Sequence, residues 1–95
     1  MLRVLLPIEG RTRVVVLTRE GCHLCNEAIN LVERHVGPGD WSCLDVDLHP
    51  ALQKRFTDHV PVVFVDGRLL SYWTLPEARL ADALAGEDWA SPPLL

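Results

Sequence analysis

The stretch that most constrains this chain is the passage from Val14-Val15-Val16-Leu17 into Cys22-His23-Leu24-Cys25. The first four residues, with Thr12 just ahead, make a nearly continuous apolar and β-branched run. Such a run, over 11–17, fits a strand buried on both faces in a sheet with helices packed on it. Glu20-Gly21 breaks the run. From Leu24, apolar residues recur at Ala28, Leu31, Val32 and His35/Val36, which is a helical stripe. Gly37-Pro38-Gly39 stops it, with glycine at C′ and proline just beyond. Two thiols three residues apart therefore stand at a helix start, where they can close into a small-loop disulfide with little backbone movement. The first also sits at the positive end of the helix dipole, which stabilises a thiolate.

The remaining chain alternates in the same manner. Residues 41–48 place Leu44, Val46 and Leu48 on one face and Cys43, Asp45 and Asp47 on the other, a strand with one polar side near a sheet edge. Pro50 opens a short helix over 51–56, because proline fits a first helical turn. A second β-branched run, 60–65, ends in Asp66-Gly67, a strong hairpin signal, and 68–72 returns as its partner. Thr74-Leu75-Pro76-Glu77 reads as a capping box with Thr74 as N-cap, leading a third helix with Leu75, Ala78, Leu80, Ala81 and Leu84 on its apolar side. Gly86 closes that helix, and a proline-containing tail comes after it. The order β-α-β-α-β-β-α makes the first two strands parallel, joined by a right-handed crossover, and the last two an antiparallel hairpin. The expected fold is α/β, a four-stranded mixed sheet with helices on both faces.

Ninety-five residues with 48% hydrophobic and 23% charged content make one globular domain, spanning 1–95, with a core over about 12–86 and a tail over 87–95. The net charge of -4, with Lys and Arg scattered, argues against nucleic acid as a partner. Residues 1–8 are apolar but short, carry one positive charge and Pro7, and offer no small-residue cleavage site, so they do not read as a signal peptide. The first ten residues either extend the first strand or lie free of it. No apolar run reaches the roughly 18–20 residues of a membrane span. The expected location is the cytoplasm, where a Cys-x-x-Cys among three cysteines is catalytic or metal-binding rather than a structural staple.

Three features, together with the element order, carry a resemblance. They are Cys22-His23-Leu24-Cys25 after the first strand, Val60-Pro61 opening the third, and Asp66-Gly67 in the hairpin. Over about 12–84 the chain resembles a glutaredoxin-like member of the thioredoxin superfamily. The resemblance implies the minimal thioredoxin fold and thiol–disulfide oxidoreductase activity. Cys22 would be the attacking cysteine and Cys25 the resolving one. Val60–Pro61 would be a cis peptide with Pro61 packed against the dithiol, and the Val60 backbone would pair with an extended thiol substrate. The implied substrate is a disulfide-containing protein or a glutathione mixed disulfide. Reducing equivalents would come from glutathione or a reductase, and no metal or organic cofactor is required. The usual Cys-Pro-Tyr-Cys is replaced. The usual Gly-Gly and acidic pair that hold the glutathione γ-glutamyl end are also replaced, by Ser71-Tyr72 and Trp73-Thr74-Leu75. Tyr72 and Trp73 add bulk there, while Thr74 keeps a hydroxyl and helix N-terminal amides to offer a carboxylate.

The residues themselves set the expected chemistry. The helix dipole, His23 and Arg19 all favour a Cys22 thiolate, and Glu20 opposes them. Cys25, one turn further on, should be more buried and remain a thiol until Cys22 has formed a mixed disulfide. Arg19, Gln53 and Arg55 are the polar groups expected near a bound glutathione, and His23 is a modulator of the dithiol. Cys43 reads as a small mid-strand residue, and Asp45 and Asp47 as a polar strand face with Asp47 helping to start the second helix. The same Cys-x-x-Cys could instead be half of a zinc site, although tetrahedral zinc needs four ligands. Cys43 lies 18 residues on, and His23, His49 and His59 are scattered. Two further readings stand beside the enzyme. One is a non-catalytic binding module using a Tyr72-Trp73 lip, and the other is a metal or iron–sulfur carrier.

Overall fold

A computed structural model of the chain describes residues 12–94. The expected strand start at residue 11 and the apolar residues 1–8 lie outside the described residues. The elements run β1 (Val14–Thr18), α1 (His23–His35), β2 (Trp41–Asp45), α2 (Pro50–Phe56), β3 (Val62–Val65), β4 (Arg68–Tyr72) and α3 (Glu77–Leu84). They form a thioredoxin-like α/β fold around one sheet of order β2-β1-β3-β4. β1 pairs parallel to β2 (Val14 with Trp41) and antiparallel to β3 (Leu17 with Val62), and β3 pairs antiparallel to β4.

The unbroken Val14–Leu17 run is explained by this central place. Val14 and Val16 face α1 and α3, packing with Leu31, Val32, Leu80 and Ala83. Val15 and Leu17 face the other way, onto Leu52 and Phe56 of α2. A strand covered on both sides needs apolar residues at every position rather than every second one. The Asp66-Gly67 hairpin has positive φ at both residues (52° and 80°), the mirror-image turn that matches strand twist.

Three local expectations are corrected. The second strand does not run to Leu48. It ends at Asp45, whose carboxylate accepts the Asp47 N–H (2.9 Å), and Val46–Leu48 winds into a 3-10 turn. That side-chain bond offers the backbone an alternative to the ladder. Val46 stays buried, but Leu48 swings out to 74% exposure. The capping box does not form either. Pro76 is the N-cap of α3, and the helix starts at Glu77. Proline disfavours helical geometry in the residue before it, so Leu75 cannot join the helix and Thr74 stands three residues outside it. On α3, Leu80 and Ala83 are buried and Leu84 packs half-buried on the same core, whereas Ala78 is exposed. At the end of α1 the expectation holds: Val36 is the C-cap, which puts Gly37 at C′ with Pro38 beyond, and the positive φ falls at Gly39.

Glu77 is used differently from the expectation: its carboxylate meets His35 Nε2 at 2.8 Å and ties α3 to the end of α1. Residues 87–94 have no regular structure but wrap the open edge of β4. Trp89 packs on the α1–α3 side and donates its indole N–H to Leu69 O (2.9 Å), under the Arg68 guanidinium (4.4 Å). Ser91 also donates to Leu69 O, Arg79 bridges Leu70 O and Ala90 O, and Leu94 reaches the α2 side. Edge-strand carbonyls are thus occupied by side chains, which blunts the edge against pairing with another chain. Among the described residues, no helix is long and apolar enough to cross a membrane.

These contacts have two measurable consequences. Trp89→Ala should lower unfolding free energy by about 2–4 kcal/mol and Trp89→Phe by about 1 kcal/mol, read from urea midpoints. An unchanged Trp89→Ala midpoint would show that the tail adds nothing to stability. The Glu77 carboxyl is held below its ordinary value of 4.5, first by the His35 hydrogen bond. A carboxyl lowered in the folded state adds stability above its unfolded value, and this is lost as pH falls through the folded one. The melting-temperature advantage of wild type over Glu77→Gln should therefore be full above pH 4.5 and fade below it. A difference independent of pH would contradict the assignment.

Candidate functional site

β1 ends at Thr18, and four residues later Cys22 begins the turn into α1. Gly21 takes a positive φ of 79° there, which lets the chain reverse from the strand into the helix. Cys22 is the N-cap of α1: its Sγ accepts the backbone N–H of Cys25 at 3.1 Å. No acidic residue occupies the first turn. The Cys22 sulfur thus takes the place that a serine or aspartate oxygen commonly fills at a helix start. Cys25, one turn in, is only 2% exposed, while Cys22 is half-buried. The two are joined as a disulfide, with Cα atoms 5.2 Å apart. One sulfur accessible and capped by a backbone N–H, the other buried behind it, is the asymmetry that thiol exchange requires.

The sheet register brings the other half of the sequence motif to the same end. Leu17 pairs with Val62, so Pro61 lies one residue beyond, level with Thr18. The Val60–Pro61 bond is cis. Pro61 is fully buried, and its carbonyl accepts the Trp73 N–H at 3.0 Å. Val60, packed against the α2-side core, stands beside it.

A cavity of about 320 Å³ opens at the dithiol, lined by Arg19, Cys22, His23, Cys25, Asn26 and Asp45, among others. Arg19 and His23 thus stand beside the dithiol, in keeping with their nearness in the chain. Arg19 Nε lies 3.8 Å from Asp47 Oδ2, and Gln53 Nε2 donates to Asp47 Oδ1 at 3.0 Å. Asp47 gathers Arg19 and Gln53 beside the site, a role that the alternation pattern does not assign it. His49 is the N-cap of α2, and its side chain makes no capping hydrogen bond to the helix. Arg55 lies over the Phe56 ring (5.3 Å) and is not among the residues of the dithiol cavity. Thr74, exposed and outside α3, lines a different cavity with Leu24 and Trp73. Leu24 belongs by its spacing to the buried helical stripe but is 44% exposed, because it lies in the first turn, facing the loop before α3.

Cys43 is exposed on edge strand β2. Partial desolvation of its sulfur, and then the nearby Glu33 carboxylate, push its thiol up from the ordinary value. Among the described residues, no group of three or more His, Cys, Asp or Glu is placed to hold a metal ion. In the reduced protein, iodoacetamide at neutral pH should therefore alkylate Cys22 first and leave Cys43 and Cys25 slow, as read by peptide mass spectrometry. Cys43 reacting ahead of Cys22 would overturn this ranking.

Comparison with known proteins agrees with the geometry. The family model described as Glutaredoxin-like domain (DUF836) matches residues 13–85. Uncharacterized proteins of Mycobacterium tuberculosis and Mycobacterium bovis are 40% identical over 91 residues, covering 88% of this chain and 94% of theirs. A structural-genomics target protein from X. campestris superposes with a TM-score of 0.65 at 26% identity, over 79% of this chain and 99% of that one. A protein from Nitrosomonas europaea solved by NMR shares the fold, with a TM-score of 0.60 at 24% identity, over 87% of this chain and 98% of that one.

Proposed function

From the premise that this chain belongs to the glutaredoxin-like domain family, we propose that it is a dithiol–disulfide oxidoreductase in which Cys22 attacks and Cys25 resolves. The observation that carries this reading is the division of labour between the two sulfurs. Cys22 caps the helix and accepts the Cys25 N–H, whereas Cys25 is buried behind it. In the reduced protein the same N–H and the helix dipole stabilise a Cys22 thiolate.

The Cys22 thiolate attacks one sulfur of a substrate disulfide, forms a mixed disulfide and expels the other substrate sulfur as a thiolate, which takes a proton from water. Cys25 loses its proton and attacks the Cys22 sulfur. The intramolecular disulfide forms and the second substrate thiol leaves. Two electrons pass from the protein dithiol to the substrate, and two from glutathione or a reductase restore the dithiol. Val60 and Pro61 border the substrate groove, with Arg19 and His23 beside the attacking sulfur. Thr74 contributes only at the far wall, through its hydroxyl. The exchange uses sulfur chemistry alone, without metal or organic cofactor. The fitting substrates are a disulfide-containing protein or a glutathione mixed disulfide, in a reducing compartment such as the cytoplasm. Neither nucleic acid nor a membrane is a partner in this scheme.

Turnover of a protein disulfide and of a glutathione mixed disulfide tests the assignment. Cys22→Ser should abolish both, by about 10³-fold or more, because no nucleophile remains. Cys25→Ser should trap a covalent Cys22–substrate adduct that is visible by non-reducing gel and mass. A Cys22→Ser protein that still reduces disulfides at the wild-type rate would end the enzymatic reading.

A further inference from the structure

Resting on that dithiol reading, we infer that the exposed Trp73 and Leu24 wall a side-chain pocket that makes this protein prefer disulfide-bearing peptides with a large apolar residue beside the cysteine over glutathione mixed disulfides. The backbone of Trp73 has a φ of 68°. That is left-handed geometry, unfavourable for a bulky L-residue and natural for glycine. The fold holds it there from several sides. The Trp73 N–H donates to His59 O (3.1 Å) and Pro61 O (3.0 Å), and its indole N–H donates to Asp58 O (2.9 Å). Its ring stacks on His59 (5.9 Å, 4° between planes) and meets the Tyr72 edge (4.8 Å).

Core packing does not account for this arrangement, because Trp73 remains 44% exposed. Strained residues that are this firmly fixed are a mark of functional sites. The shared Pro61 carbonyl ties this one to the groove beside the dithiol. Across from it stands Leu24, equally exposed and located between the two cysteines. With Leu31 and Leu75 they line a cavity of about 260 Å³ whose charged members, Glu27 and Arg34, are one of each sign. This cavity shares no lining residue with the one around Cys22. It begins within one helical turn of both sulfurs.

The chemistry of the walls selects the occupant. Glutathione carries two carboxylates and an ammonium and has no apolar side chain. It would leave the exposed Leu24 and Trp73 surfaces uncovered. An extended peptide whose cysteine meets Cys22 carries its next side chains a few ångströms to either side, and a leucine- or phenylalanine-sized group there would cover Leu24 and Trp73.

The test uses the full chain and two disulfide peptides that differ only in Phe or Ser beside the cysteine, plus the glutathionylated Ser peptide. Wild type should show kcat/KM for the Phe peptide at least about tenfold above both others, the scale of discrimination by one apolar group. In Trp73→Ala and in Leu24→Ser the Phe-to-Ser ratio should fall close to one. Leu24 is an exposed helix position, so its variant keeps the test valid if Trp73→Ala fails to fold. A second arm titrates the Phe peptide, its cysteines replaced by serine, against each protein by calorimetry. Weaker binding in both variants supports the pocket independently of turnover. A wild-type Phe-to-Ser ratio near one, a ratio unmoved by both variants, or a glutathionylated peptide turned over fastest would overturn the pocket while leaving the dithiol assignment standing. No turnover of any peptide, with binding that depends on Trp73 and Leu24, would keep the pocket and remove the catalytic reading.

Discussion

The burial of β1 on both faces is the constraint on which the rest of this structure depends. Val14 to Leu17 alternate between the α1–α3 layer and the α2 layer. The strand has hydrogen-bonded neighbours on both sides, β2 running with it and β3 against it. A strand held from four directions has little freedom to shift register, since a one-residue slip would exchange its two sets of side chains. The residues just past its end are therefore delivered to a fixed place. They lead to Cys22, at the mouth of α1, and the antiparallel neighbour brings Pro61 alongside.

Around that fixed point the sulfur pair inherits its asymmetry from helix geometry. The N-cap position leaves Cys22 at the surface with a backbone N–H aimed at it. Three residues on, the helix has turned far enough to put Cys25 into the core. The surroundings differ on the two flanks. On one, Asp47 collects Arg19 and Gln53 into a polar cluster beside the dithiol cavity. On the other, Leu24 and Trp73 present apolar surface.

Much of the framework was legible in the chain. The β-branched runs gave β1 and β3, Asp66-Gly67 gave the hairpin, Pro50 gave the start of α2, and the Cys-x-x-Cys with Val60-Pro61 pointed to the site. These features are local, set by backbone sterics or by the period of apolar residues. The misreadings arose where a short-range side-chain bond or a proline competed with the period. Asp45 captured the Asp47 N–H and ended β2 early, so Leu48 left the face it seemed to share with Leu44. Pro76 delayed α3, which released Thr74 from capping and freed Glu77 for His35. No periodicity could reveal that Trp73 sits left-handed, since glycine is the residue that announces such a position.

The order of strands and helices, the pairing of the hairpin and the presence of two thiols at a helix start follow from the sequence alone, because each is decided among neighbours within a few residues. Where Pro61 stands, what Asp47 holds and how Trp73 faces Leu24 were decided by the tertiary structure. Each of these joins residues that lie far apart in the chain, and only the closing of the sheet around β1 brings them within contact.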